Sequence, residues 1–319
     1  MPAAFLARQA GPRPQAVPSC DRACLLAVAD RYLAALVAHD PSKAPMAPAA
    51  RFTEQGQVMA VGEGSLWKNA TGVSNAFRIP VADPVAGQIG MIVMVKESGD
   101  TGAPDRDVEL ALRLKVVNRQ VTEAEHAMAR ITNPAALANL QTPRPALLAT
   151  ATPAARLPRG LMLLIGNSYY DSIVQSDGDA APYANDCGRR ENGMHTAGAG
   201  APAASGAAGG SRPPQSCRDQ MNSRSMSYIT SIDLRRVWIA DEEKGLVFGL
   251  TMFRHPMEFK SWTILNPDGT TGERVLNRDP FDTQNAHIFK ISSGMIREIE
   301  AMGFARPLNS KNGWSPFVR

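Results

Sequence analysis

The apolar and polar positions of the chain fall into two helical stretches, each followed by a run of strands. Residues 24–38 (CLLAVADRYLAALVA) and 161–175 (LMLLIGNSYYDSIVQ) carry apolar side chains at helical spacing, and Tyr32 and Tyr169 occupy the same point in the two patterns. Residues 108–117 alternate instead. Val108, Leu110, Leu112, Leu114 and Val116 fall on one face and Glu109, Arg113 and Lys115 on the other, which predicts a strand. Residues 88–96 are almost continuously apolar, as a strand covered on both faces would be. The connections between these strands are too short for parallel crossovers, so each helix leads into a hairpin-linked sheet of the α+β kind.

The pattern occurs twice. After the first helix, Ala44-Pro45-Met46-Ala47 leads to Glu54-Gln55-Gly56; after the second, Ala181-Pro182-Tyr183-Ala184 leads to Glu191-Asn192-Gly193, with equal spacing. Val81-Ala82-Asp83 and Gly87 precede one apolar strand, and Ile239-Ala240-Asp241 and Gly245 precede another. Each half closes alike, Lys115-Val116 with Val121, Glu123 and Glu125 matching Lys290-Ile291 with Ile296, Glu298 and Glu300. Four features in one order at closely matching spacing indicate a tandem duplication. The expected organisation is a tail at 1–19, a first α+β domain at 20–131, a Pro/Ala-rich linker at 132–158, a second domain at 159–305 and a tail at 306–319. A Gly/Ala/Pro/Ser-rich insertion at 197–214 is expected to be unable to order itself. The acidic pairs Glu123/Glu125 and Glu298/Glu300 alternate with apolar residues and read as solvated strand faces. Arg235, Arg236 and Trp238 read as an edge strand with a packed tryptophan.

Length and composition narrow the field. A chain of 319 residues suits two cores better than one. Its 44% apolar and 20% charged residues are ordinary for a globular protein. No apolar run approaches the ~18–20 residues of a membrane helix. The net charge of +4 comes from 34 basic and 30 acidic residues that form no basic stripe, and aromatic residues are only 6%, which argues against nucleic acid. The cysteines add a compartment. Cys187 and Cys217 stand at the feet of the insertion, so a bridge between them would close a loop of ~30 residues and stabilise the fold by roughly 3–4 kcal/mol. Cys20 and Cys24 would form a short local bridge, and an extracellular or periplasmic setting follows. Four free thiols are the alternative, and the apolar run after Met1 is short for a secretion signal. No C-x-x-C pair, clustered histidines or phosphate loop suggests a metal or nucleotide, so no cofactor is expected.

Residues 30–40, DRYLAALVAHD, with the Pro/Ala turn, Glu54-Gln55 and a final strand pair, resemble the nuclear transport factor 2-like superfamily, and within it ketosteroid isomerase and the SnoaL-like polyketide cyclases. The chain is also similar to a tandem SnoaL-like family of secreted fungal and bacterial proteins. The resemblance implies two cone-shaped α+β barrels, each a curved, mainly antiparallel sheet wrapped around helices and enclosing an apolar pocket. It also implies sheet-to-sheet packing of the halves as a covalent pseudo-dimer, with further homo-oligomerisation open. The helix tyrosine of ketosteroid isomerase, a donor to a developing enolate, maps to Tyr32 and Tyr169; the general base maps near Glu54 and Glu191. The second oxyanion donor maps near Ala111 and Ala286, neither of which can donate. A one-residue shift of register would bring in His287 instead. His195 and His255 add further acid–base candidates in the second half.

The function expected on these grounds is cofactor-independent lyase or isomerase chemistry on a hydrophobic, oxygenated small molecule. Tyr169 would be the hydrogen-bond donor, Glu191 or a neighbouring histidine such as His195 the base, and His287 the second polar group. Tyr32 and Glu54 would be their counterparts in the first half. The alternative is a secreted binding or scaffold protein without catalysis, whose cones are filled by side chains.

Overall fold

The computed structural model describes residues 20–314 apart from 202–203, 206–210, 213–214 and 267; of residues 204–205 and 211–212 it describes the backbone only. Half of the expected insertion, the first tail and the last five residues therefore lie outside the described residues.

The first half begins with helix α1 (Arg22–Val37), whose Asp21 side chain caps the Cys24 amide. Strands β1 (Met46–Glu54) and β2 (Gln57–Met59) follow, then a short helix α2 (Ser65–Asn69) and strands β3 (Ala70–Asp83), β4 (Gln88–Glu97), β5 (Arg106–Val117) and β6 (Gln120–Ile131). The sheet order is β2-β1-β6-β5-β4-β3, an antiparallel meander to which β1 adds in parallel beside β6. Two short helices, α3 (Pro134–Asn139) and α4 (Pro145–Leu148), occupy the proline-rich connection. Prolines sit at the first helical turn in both, where the missing N–H has no helical partner to lose.

The second half repeats the plan. Helix α5 (Arg159–Gln175) precedes β7 (Tyr183–Glu191) and β8 (Met194–Ala197), a two-residue pair β9 (Ala204–Ser205) and β10 (Ser211–Arg212), helix α6 (Cys217–Asn222), and strands β11 (Ser231–Asp241) and β12 (Leu246–His255). A hairpin of β13 (Ser261–Leu265) and β14 (Thr271–Val275) then intervenes before β15 (Phe281–Ser292) and β16 (Met295–Pro307). The sheet order β8-β7-β16-β15-β12-β11 is the first order strand for strand, with β16 and β7 again parallel. The chain is therefore an α+β protein of two tandem cones, the repeat being as the residue pattern predicts and the cones as the resemblance implies. The hairpin is an addition with no counterpart in the first half, where residues 98–105 join β4 to β5 directly. Both expected disulfides are present, Cys20–Cys24 and Cys187–Cys217.

Strand alternation gives every sheet residue one of two destinations. Leu110, Leu112 and Leu114 join α1 and α2 in the interior of the first cone, with Tyr32, Phe52, Trp67 and Val93. Ala111, one residue away, belongs to a third core between the two sheets, with Phe77, Ile92, Phe248, Ala286, Ile288 and Met302. The sheets thus pack face to face. They approach closely at Gly90, where a Cβ would stand 2.3 Å from the Phe248 ring, so only glycine leaves room for that ring. The helices of the connection seal the same core through Ala136, Leu140 and Leu147.

This packing corrects two expectations. Glu125 and Glu300 are not on solvated faces; both are fully buried between the sheets. Glu125 receives two bonds from Arg236 on β11 (2.5 and 2.7 Å) and one from Arg113 (3.1 Å). Glu300 is met by Arg144 of the connection (3.1 Å). A buried carboxylate is tolerable only with such partners. Trp238 is not packed either: at 48% exposure it faces outward, while Arg236 turns inward to Glu125.

Candidate functional site

Tyr32 and Glu54 meet in the interior of the first cone through His126, a residue that the sequence reading did not single out. Glu54 accepts from Nδ1–H of His126 (3.2 Å), which leaves Nε2 to accept from the Tyr32 hydroxyl (2.9 Å). Burial pushes the Glu54 carboxyl up, but His126 and the amides of Ser65 and Leu66 outweigh it and hold the group below the usual carboxylate range. Tyr32 is wholly buried, and that burial drives its hydroxyl far above the ordinary phenol value. Phe52 and Trp67 pack edge-on around the chain of three. The Trp67 indole N–H lacks hydrogen-bond geometry with any neighbour. Otherwise the polar groups here satisfy one another among tightly packed apolar side chains.

The second cone is built differently. Tyr169 is again wholly buried, but its hydroxyl accepts from Arg189 Nε (2.8 Å), and Arg189 also binds Thr196 Oγ1 (2.8 Å) and the Glu191 carboxylate (2.7 Å). Burial raises the Tyr169 hydroxyl above the ordinary phenol value, and the neighbouring guanidinium offsets part of that rise. The phenol keeps its own proton to donate. His287 faces this interior and not the sheet interface, since Ala286 and Ile288 on either side take the interface positions. Its ring lies 5.2 Å from that of Tyr169 and 5.3 Å from that of Tyr170, stacked between Phe253 and Phe289. Burial, reinforced by Arg189, pushes the His287 imidazole well below its usual value, so it is neutral at physiological pH. Its Nδ1 has no hydrogen-bond partner. Two further buried hydroxyls, of Tyr170 and Thr251, face only one another, close together but in poor hydrogen-bond geometry. Gly249 borders the same spot, where a Cβ would come within 3.1 Å of the Tyr170 hydroxyl.

Tyr169, Glu191 and His287 are therefore brought to one place, Tyr169 touching His287 by its ring and Glu191 through Arg189. His195 is not brought there. It pairs across the strands with Arg190, and cross-strand partners share a face. Arg190 reaches the Asn139 carbonyl of the connection (3.2 Å), away from Tyr169. His255 lies on the same face of β12 as Thr251 but four residues along, stacked on Phe281 at 4.2 Å. Burial lowers its imidazole to about 4. Among the described residues no group of His, Cys, Asp and Glu is arranged to hold a metal ion.

Arg189, Tyr170 and Thr251 were also missed by sequence reasoning, and the repeat contains the signal that finds them. In the pairing that sets Tyr169 on Tyr32 and Glu191 on Glu54, Tyr170 takes the place of Leu33 and Arg189 that of Phe52. On the sheet, Thr251 takes the place of Val93 and His287 that of Leu112. Four apolar positions of the first core are polar in the second. The exchange runs once the other way, Ala301 standing where the first cone has His126.

Solved structures with similar chain paths each match about one cone. A candidate polyketide cyclase from Silicibacter sp. TM1040 matches with 9% identity over 46% of this chain and 92% of its own (TM-score 0.28). AclR, a candidate hydroxylase from Streptomyces galilaeus, matches with 12% identity over 51% of this chain and 91% of its own (TM-score 0.29). No curated protein matches the sequence. A family match covers residues 19–128 and 155–303, nearly the whole of both cones, and the chain belongs to that family, described as a domain of unknown function (DUF8021).

Proposed function

We propose that the second cone binds a hydrophobic, oxygenated small molecule and processes it by acid–base chemistry without a cofactor, as a lyase or isomerase. One observation carries this reading. His287 Nδ1, buried without a partner, and the Tyr170 and Thr251 hydroxyls, which face only each other in poor geometry, gather beside Tyr169 and Tyr170. Each such atom destabilises an empty fold by roughly 1–3 kcal/mol, a burden that a ligand oxygen would relieve.

The chemistry follows from the groups present. Tyr169, with a guanidinium behind its oxygen and its own proton free, is suited to donate to a carbonyl oxygen that gains charge. The neutral His287 imidazole can take or hold a proton at the adjacent carbon. Glu191, held by Arg189 at the edge of the interior, keeps that guanidinium oriented. The resemblance to SnoaL-like cyclases and ketosteroid isomerase points the same way. The two disulfides suit an oxidising compartment, and we place the working protein in the extracellular or periplasmic space.

Deuterium exchange tests the reaction class directly. With a panel of cyclic and aryl ketones in D2O, the protein is expected to catalyse label uptake at the carbon next to the carbonyl. Tyr169→Phe should slow it by roughly one to three orders of magnitude, as loss of one oxyanion donor does. Exchange no faster than buffer, or unchanged in Tyr169→Phe, would overturn the assignment.

A further inference from the structure

The mouth of the second cone carries a feature that neither the first cone nor the acid–base groups explain. Strand alternation places His255, Phe253, Thr251 and Gly249 of β12 on the interior face, in register with Phe281, Thr283, Asn285 and His287 of β15. The six steps along the strand from Phe281 to His287 span about 20 Å. At the outer end, Phe281 lies flat on His255, His255 stacks on Tyr228 at 5.4 Å, and Tyr228 meets Trp262 of the added hairpin at 5.6 Å. A guanidinium sits at each end of this row. The Arg278 carbon Cζ lies 4.1 Å from the Phe281 ring centre, and that of Arg274 lies 5.5 and 5.8 Å from Tyr228 and Trp262.

A guanidinium stacked on a ring keeps its N–H edge available, and that edge matches a carboxylate. Among the described residues, neither Arg274 nor Arg278 forms an ion pair. Arg278 and Phe281 border an open cleft of about 560 Å³, shared with Asn277, Asp279 and Pro280. The hairpin and the segment leading from it to β15, which supply Trp262, Arg274 and Arg278, exist only in the half whose interior holds His287 and the Tyr170–Thr251 pair. Two independent additions, one at the mouth and one in the interior, thus fall in the same cone and on the same strand face.

We infer that the ligand of the second cone is an amphipathic carboxylic acid. Its carboxylate is held at the mouth by Arg278 beside the Phe281 cleft, Arg274 adds positive charge at the other end of the row, and the body of the ligand runs along the β12–β15 face towards Tyr170 and His287. This rests on the reading of the second cone as a ligand site and adds the headgroup and the direction of entry. Asp279 in the same cleft disfavours a second negative charge beside it, which favours a singly charged head over a phosphate.

Titration of the full chain with dansylaminoundecanoic acid and with its methyl ester, followed by dansyl fluorescence, tests it. The acid should bind at least tenfold more tightly than the ester, since a charge-assisted hydrogen bond contributes about 1.5–3 kcal/mol. Arg274→Gln with Arg278→Gln should erase that preference by weakening the acid alone. The acid's affinity should fall with added salt. Equal binding of acid and ester, with both lost in His287→Leu, would overturn the anionic head and leave the ligand site standing. Binding of neither probe, or binding indifferent to His287→Leu, would overturn the ligand site itself and this inference with it.

Discussion

In the first cone, Tyr32, His126 and Glu54 consume one another's hydrogen-bonding capacity, and leucine, valine and phenylalanine fill the space around them. In the second, Tyr169 is bound to an arginine, His287 Nδ1 nearby is left without a partner, and the Tyr170 and Thr251 hydroxyls face only each other in poor geometry. The strand order, the helix and the tyrosine are common to both, so the contrast lies in a handful of side chains. A duplicated fold supplies its own control. The strand order and the helix that both copies keep serve the architecture; the shared tyrosine has a different partner in each copy, and what one copy changes from apolar to polar at a stability cost calls for another explanation. On the proposed function, the first cone serves as scaffold and the second as site.

That contrast can be attacked from either side. The largest expected effect is on reaction rate: Tyr169→Phe should reduce ketone exchange by roughly one to three orders of magnitude, whereas Tyr32→Phe should leave it within a factor of about two. Equal losses in both variants, measured by the same label uptake, would erase the distinction. Next is stability. Leu112→His places in the first cone what the second has at the matching position, and should destabilise by about 2–5 kcal/mol in chemical unfolding, from lost packing and an unsatisfied buried ring. The reverse exchange, His287→Leu, should stabilise by about 1–3 kcal/mol while abolishing ligand-induced shifts of the melting temperature.

A smaller effect concerns the interface. Glu109 is fully buried between the sheets and neither oxygen has a partner; burial, then the charges of Glu300 and Glu191, pushes its carboxyl well above the usual range. Its counterpart in the second half is Gln284, whose amide donates to Glu125 (3.4 Å). Between the unfolded pKa near ~4.3 and the raised folded value, the folded state holds the extra proton, so stability falls as pH rises through that window. Glu109→Gln should copy the Gln284 arrangement and flatten that decline, as read from unfolding midpoints between about pH 4 and pH 8. A decline of unchanged slope would show that other groups cause it.

How far the sequence carried these conclusions depended on the range of the interactions involved. The α+β repeat was legible because alternation, helical spacing and turn residues are local. The disulfides were legible because each pair brackets a local feature. Glu125 and Glu300 were misread because what buries them is the other half or the connection. Arg236 is 111 residues from Glu125, and no periodicity within a strand announces a second sheet on top of it. For the same reason the mapped donor positions at Ala111 and Ala286 gave no hint that these alanines belong to the sheet interface. His126 was invisible because the second copy has alanine there. Arg189, Tyr170 and Thr251 were within reach, since comparing the copies position by position exposes each of them against Phe52, Leu33 and Val93.

The most direct test of the account is one variant that removes the three interior polar groups with little change of shape: Tyr170→Phe, Thr251→Val and His287→Leu together. Thermal unfolding and ketone exchange are read on the same sample. The account predicts a higher melting temperature than the parent together with loss of exchange, because the atoms that burden the empty fold are those that meet the ligand. A lower melting temperature, or exchange that survives intact, would contradict it and return the second cone to the status of the first.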